Sequence, residues 1–139
     1  MRILLADANP TVRAALRLVL ANLDAVVETS DSPDIIHLLA EITANCPDIV
    51  LLDVDLPGAQ PPRPVAEPSL AELVQVLRSL CPALKIIALG SSPGAKQPCL
   101  QAGVDAFFCK SDPPDELLES LASALRVGRD RVSRFGLHR

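Results

Sequence analysis

Four places in the chain carry side chains that could act together, and each directly follows a short apolar run. Asp7 follows "RILLA", Asp53 follows "DIVLL", Gly90-Ser91-Ser92 follows "KIIAL", and Lys110 follows "DAFFC". Apolar runs of this length read as strands covered on both faces, so the polar residues stand at strand carboxyl ends. In open parallel sheets, ligands bind beyond those ends, where strand order reverses. Two carboxylates brought together there repel, which is tolerable only with a cation between them or a shared proton. Oxygen ligands with open positions suit Mg2+, which keeps several waters and bridges to phosphate. Lys110 adds a point charge suited to a phosphoryl oxygen. Asp55 is a further candidate ligand for the cation, the alternative being a solvated turn carboxylate. These residue types together point to phosphoryl chemistry at Asp53.

The elements that must hold these residues follow from periodicity. "RILLA" (2–6) is a first strand. A helix starts near Pro10, with Val12, Leu16, Val19, Leu20 and Leu23 on one stripe. "AVVET" (25–29) reads as a second strand, and Ser32 as the cap of a helix with Pro33 in its first position. Ile35, Ile36, Leu38, Leu39 and Ile42 form the expected buried side of that helix. "DIVLLD" (48–53) is the third strand, central because it is apolar at consecutive positions.

Residues 57–68 hold five prolines, too many for a helix interior, and read as a stiff extended insertion. A helix over 69–80 and a strand over 84–90 follow. Pro98 predicts a stunted or displaced helix after that strand. "DAFFCK" (105–110) is the fifth strand, and 112–128 the last helix, capped by Asp112. Five such units make one α/β domain with a doubly wound parallel sheet.

Composition narrows the class. With 139 residues, 49% of them apolar, a single core is expected, and with no Trp, no Tyr and three Phe it must be aliphatic. No apolar run approaches a membrane span, and the chain reads as cytoplasmic. Residues 1–125 carry 8 basic and 16 acidic side chains (−8), and residues 126–139 carry 5 and 1 (+4). The basic end reads as a solvated helix end or loose tail rather than a nucleic-acid arm. Cys46, Cys81, Cys99 and Cys109 show no metal-ligand spacing and are expected as reduced, buried thiols. His37, in an apolar stretch without a nucleophile pattern, is expected to be structural.

"RILLADANPTVRAAL", "PDIVLLDVDLPG" and "AGVDAFFCKSDPPDELLESL" resemble the receiver domain of bacterial two-component response regulators, above all the branch usually joined to a helix-turn-helix domain. The resemblance spans about residues 1–126, leaving 127–139 as a basic tail or the start of a linker. It implies a flavodoxin-like sheet of strand order 2-1-3-4-5. It further implies that Asp53 accepts phosphate from a histidine kinase or phosphotransfer protein, that Lys110 contacts the phosphoryl group, and that an acid pair at the end of the first strand, Asp7 and its neighbour, binds Mg2+ with Asp53. Dimerisation and a downstream protein partner are family expectations, with no nucleic acid or membrane contact by this domain.

Four departures weaken that carry-over. Ala8 stands where the second acid of the pair is expected. Gly90 stands at the hydroxyl position, although Ser91 and Ser92 follow it as phosphoryl-binding candidates. Phe107, the aromatic switch position, has a ring but no phenol. The insertion at 57–68 lengthens the loop beside the acceptor. Two readings therefore compete: a phosphoacceptor with atypical or weakened Mg2+-dependent phosphorylation, and a receiver fold acting by protein contact alone. A phosphatase built on "DVD" is disfavoured, because no cap domain fits and no later acidic pair completes its metal site. A flavin protein is disfavoured because no Trp or Tyr is available to stack on the ring.

Overall fold

The structure, a computed structural model, describes residues 1–23, 28–57, 69–119 and 121. Its strands are β1 (Arg2–Ala6), β2 (Glu28–Ser32), β3 (Ile49–Asp53), β4 (Lys85–Gly90) and β5 (Ala106–Cys109). They form one parallel sheet of order β2-β1-β3-β4-β5. The helices are α1 (Pro10–Leu20), α2 (Ile35–Ala44), α3 (Leu70–Leu80) and α4 (Lys96–Gln101), the last preceded by a 3-10 turn at Pro93–Ala95. A further helix, α5, covers residues 114–119 and 121. The sheet is the expected flavodoxin-like arrangement, and its order reverses between β1 and β3.

All five residues of β3 are buried, and they alternate between two cores. Ile49 and Leu51 pack with Leu16 and Leu20 of α1 and with Leu117 and Leu121 of α5. Val50 and Leu52 pack with Leu38 and Ile42 of α2 and with Leu73 and Leu77 of α3. Each such aliphatic side chain contributes about 1.5–3 kcal/mol on burial, so the strand is rigidly held from both sides. Asp53 is the last residue of this clamped arm.

Several elements differ from the sequence reading. β2 begins at Glu28 and runs through Ser32, paired only with β1 from Arg2↔Glu28 to Ala6↔Ser32. An edge strand has one neighbour, so the polar "ETSDS" serves where a central strand would need apolar residues. Residues 25–27 of the expected strand lie outside the described residues. Ser32 is therefore strand, not a cap. Asp34 caps α2 instead, its side chain accepting from the His37 amide, and Pro33 precedes the helix. The His37 ring nitrogen lies 2.7 Å from Asp34 Oδ1. Ile36 is 57% exposed, because a helix starting at Ile35 turns position 36 about 100° from the stripe of 35, 38, 39 and 42.

The remaining helices obey their local signals. Ser69 and Glu72 close a capping box on α3. Pro98 is the third residue of α4, where a missing amide costs nothing. That helix is stunted as expected, six residues long, and Gly103 follows it at φ 104°, the left-handed conformation glycine tolerates. α5 starts at 114, so Asp112 lies one residue too early to be the cap the sequence suggests, and the Pro113 carbonyl accepts from the Glu116 amide. The insertion at 58–68, most of the last helix's expected course and the tail at 127–139 lie outside the described residues.

The cysteines divide. Cys99 and Cys109 are buried free thiols, but Cys46 and Cys81 form a disulfide across 35 residues, contrary to the expectation that all four are reduced. Cys46 follows α2 and Cys81 caps the end of α3, each just before a strand begins. The bridge therefore ties two loops at the end of the sheet opposite Asp53. No spacing rule in the sequence announces a pair so far apart.

Candidate phosphoryl site

The reversal between β1 and β3 places the ends of two apolar strands side by side. Asp7 follows β1, Asp53 ends β3, and Lys110 follows β5. The Lys110 ammonium lies 2.7 Å from Asp7 Oδ2 and 3.3 Å from Asp53 Oδ2. Residues far apart in the chain thus converge on one rim, as the strand-end reading required. Asp7 is 1% exposed and Asp53 7%, so these charges sit where water screens them poorly.

The other carboxylate oxygens are occupied by backbone. Asp7 Oδ1 accepts from the Asn9 amide at 2.9 Å, and Asp53 Oδ1 from the Asp55 amide at 3.0 Å. Each acid is thereby held by the residue two places on, an Asx-type turn that fixes its orientation. The Lys110 backbone is pinned by its own amide donating to the Gly90 carbonyl at 2.7 Å. Arg13, on the first turns of α1, donates to the Asp7 carbonyl at 2.5 Å and pairs with Asp31 at 3.4 Å. The sequence reading missed Arg13. Its signal was a helical arginine six residues past Asp7, legible only once α1 was known to start at the strand end.

Electrostatics follow from this packing. Burial pushes the Asp53 carboxyl above the usual carboxylate range. The Asp55 amide opposes that shift, the Asp7 charge adds to it, and Lys110 restrains it. Burial alone would pull the Lys110 ammonium down, but the contacts with Asp7 and Asp53 outweigh it and raise the group. A perturbed carboxyl beside a fixed ammonium in a strand-end cleft is the pattern of a functional site.

The remaining candidates are placed as follows. Gly90 ends β4 opposite Cys109, so the strand end is not shifted in favour of Ser91. Ser91 and Ser92 are exposed, and the Ser92 hydroxyl accepts from the Gly94 amide. Asp55 is exposed and meets Asp53 through its amide. Phe107 packs on the α3 and α4 side, whereas Phe108 belongs to the opposite core.

The family model for the response regulator receiver domain matches residues 3–122. The chain belongs to the response regulator receiver family. This receiver is 30% identical over 131 residues to the uncharacterized transcriptional regulatory protein YxjL of Bacillus subtilis, covering 91% of this chain and 55% of that protein. It thus spans about half the length of the curated relatives it matches. The isolated REC domain of RcsB from Salmonella enterica serovar Typhimurium, solved with phosphomimetic BeF3−, superposes with TM-score 0.74 at 21% identity, over 88% of this chain and 86% of that one. A LuxR-family DNA-binding response regulator from Staphylococcus aureus superposes with TM-score 0.70 at 19% identity, covering 88% and 97%.

Receiver domains typically use Mg2+ for phosphorylation, and the donor set of this one does not suit a chelated cation. Ala8 removes a carboxylate, and the two that remain already share one ammonium. Among the described residues, no group of three or more His, Cys, Asp or Glu is placed to hold a metal ion. No helix among the described residues is long and apolar enough to cross a membrane.

Proposed function

We propose that this receiver takes a phosphoryl group on Asp53 from a histidine kinase or phosphotransfer protein, inefficiently, and passes the signal to a protein partner rather than turning over a substrate. The observation that supports it is the Lys110 ammonium held between the Asp7 and Asp53 carboxylates. In this reading an Asp53 oxygen attacks phosphorus, the O–P bond forms, and the P–N bond of the phosphohistidine breaks. The electron pair returns to the imidazole, which takes a proton from solvent. Lys110 shifts from carboxylate to phosphoryl oxygen and balances the added charge. The missing hydroxyl at Gly90 removes a charge-assisted hydrogen bond, a loss of about 1.5–3 kcal/mol that slows transfer.

The test is incubation with a small phosphodonor followed by intact mass. An adduct of phosphoryl mass, labile to hydroxylamine and lost in Asp53→Ala, is the expected result. One observation favours a second reading, in which the fold signals by contact alone: the Phe107 ring fills the space that a hydroxyl-bearing side chain at residue 90 would need. Absence of any adduct on Asp53 decides for that reading.

A further inference from the structure

We infer that this pocket balances its charge with the Lys110 ammonium in place of a divalent cation, and that Ala8 is the residue that closes it to metal. A cation shared by the two acids would compete for the oxygens that share Lys110, Oδ2 of Asp7 and Oδ2 of Asp53. The Lys110 ammonium lies 2.7 and 3.3 Å from those two atoms. The Oδ1 atoms accept from the Asn9 and Asp55 amides, which hold both carboxylates in this orientation. Asp7 Oδ2 is buried without an aligned donor, so its contact with Lys110 is ionic and the ammonium is the charge that offsets it.

Charge arithmetic gives the same answer. Asp7, Asp53 and Lys110 together carry −1, whereas a second acid at position 8 would bring the pocket to −2. A small divalent ion that dehydrates reluctantly needs that charge and those oxygens to offset the loss of its water. Asp7 and Asp53 cannot supply them without expelling Lys110, and the expelled ammonium would lose both of its carboxylate contacts. Ala8 is exposed at the mouth of the pocket, so an acid there has room and would leave the core intact. The inference stands whether or not Asp53 accepts phosphate, because it concerns cation binding alone.

The experiment is titration of the full chain with Mg2+ and with Mn2+, followed by calorimetry and by paramagnetic broadening of the amides at residues 8, 53 and 110. The unaltered chain should show no saturable heat and no selective broadening. Ala8→Asp should gain saturable binding at least about tenfold tighter, the scale on which lost supporting groups weaken metal sites. Adding Asp53→Asn to Ala8→Asp should remove it. Unchanged melting of Ala8→Asp without metal controls for folding. Saturable binding by the unaltered chain that Asp53→Asn abolishes would overturn the inference. So would failure of a folded Ala8→Asp variant to bind, because Ala8 would then not be what closes the pocket.

Discussion

The Phe107 ring lies where a side chain at residue 90 would have to go: a Cβ on Gly90 would come within 2.8 Å of the Phe107 ring edge. The same Cβ would meet the Ala95 methyl at 3.3 Å, so relief must come from the ring. Glycine at the end of β4 and an inward ring on β5 are two parts of one packing solution. Gly90→Ser should cost about 1–3 kcal/mol through overpacking. Gly90→Ser combined with Phe107→Ala should cost less than the two single changes added together. Denaturant melts of the four proteins measure the coupling, and strict additivity would show that the ring and residue 90 do not compete.

Asp53 is buried and its carboxyl is raised, which fixes the sign of its pH effect. A group whose folded value lies above its unfolded value favours the fold while protonated. That contribution is fully present below the unfolded value and is lost as pH rises through the folded one. At neutral pH the ionised Asp53 is therefore a liability. Asp53→Asn should raise the melting temperature at pH 7, with the advantage shrinking as pH falls through the raised folded value and gone below the ordinary aspartate value. A difference constant from pH 3 to pH 7 would contradict this origin.

Lys110→Met should destabilise the protein at pH 7 by about 3 kcal/mol, since it leaves two poorly solvated carboxylates unpaired. Neutralising either acid as well, with Asp7→Asn or Asp53→Asn, should recover part of the loss. The raised Lys110 value sets the other limit: its contribution holds below the ordinary lysine value and fades only as pH climbs through the folded one. Chemical denaturation across acid, neutral and alkaline pH separates these cases. Equal loss at pH 4 and pH 7 would mean that Lys110 acts through packing alone.

The Cys46–Cys81 bridge closes a segment of 35 residues. Loop-closure entropy assigns such a bridge about 3–4 kcal/mol, so the reduced chain should melt at a markedly lower temperature. Cys46→Ser should match the reduced protein and become insensitive to reductant. Because the bridge lies at the end of the sheet away from Asp53, phosphodonor reactivity at low temperature should be unchanged. Equal melting with and without reductant would show that the bridge does not form in solution.

The central strands and the pocket were legible because β3 is apolar from Ile49 to Leu52 and each candidate residue stands at a strand end. That Asp7, Asp53 and Lys110 converge needed no further information. β2 was misplaced because an edge strand needs no continuous apolar signature, and the apolar "AVV" just before it drew the assignment toward its own end. Ile36 was assigned to the core because its type is apolar, although at 100° per residue it falls off the stripe of 35, 38, 39 and 42 wherever the helix begins. The disulfide and the Arg13 contact were illegible for a shared reason. Each depends on which loops and helix ends tertiary packing brings together, and local pattern does not report that.

The central claim is that one ammonium serves both carboxylates. The chain has three lysines, Lys85, Lys96 and Lys110, so their side-chain ammonium signals can be assigned by single substitutions in 15N-correlated NMR. The Lys110 ammonium should give a slowly exchanging signal that shifts in both Asp7→Asn and Asp53→Asn, while the Lys96 signal stays still. A Lys110 signal that exchanges as fast as that of a solvated lysine, or that ignores either substitution, would contradict that claim.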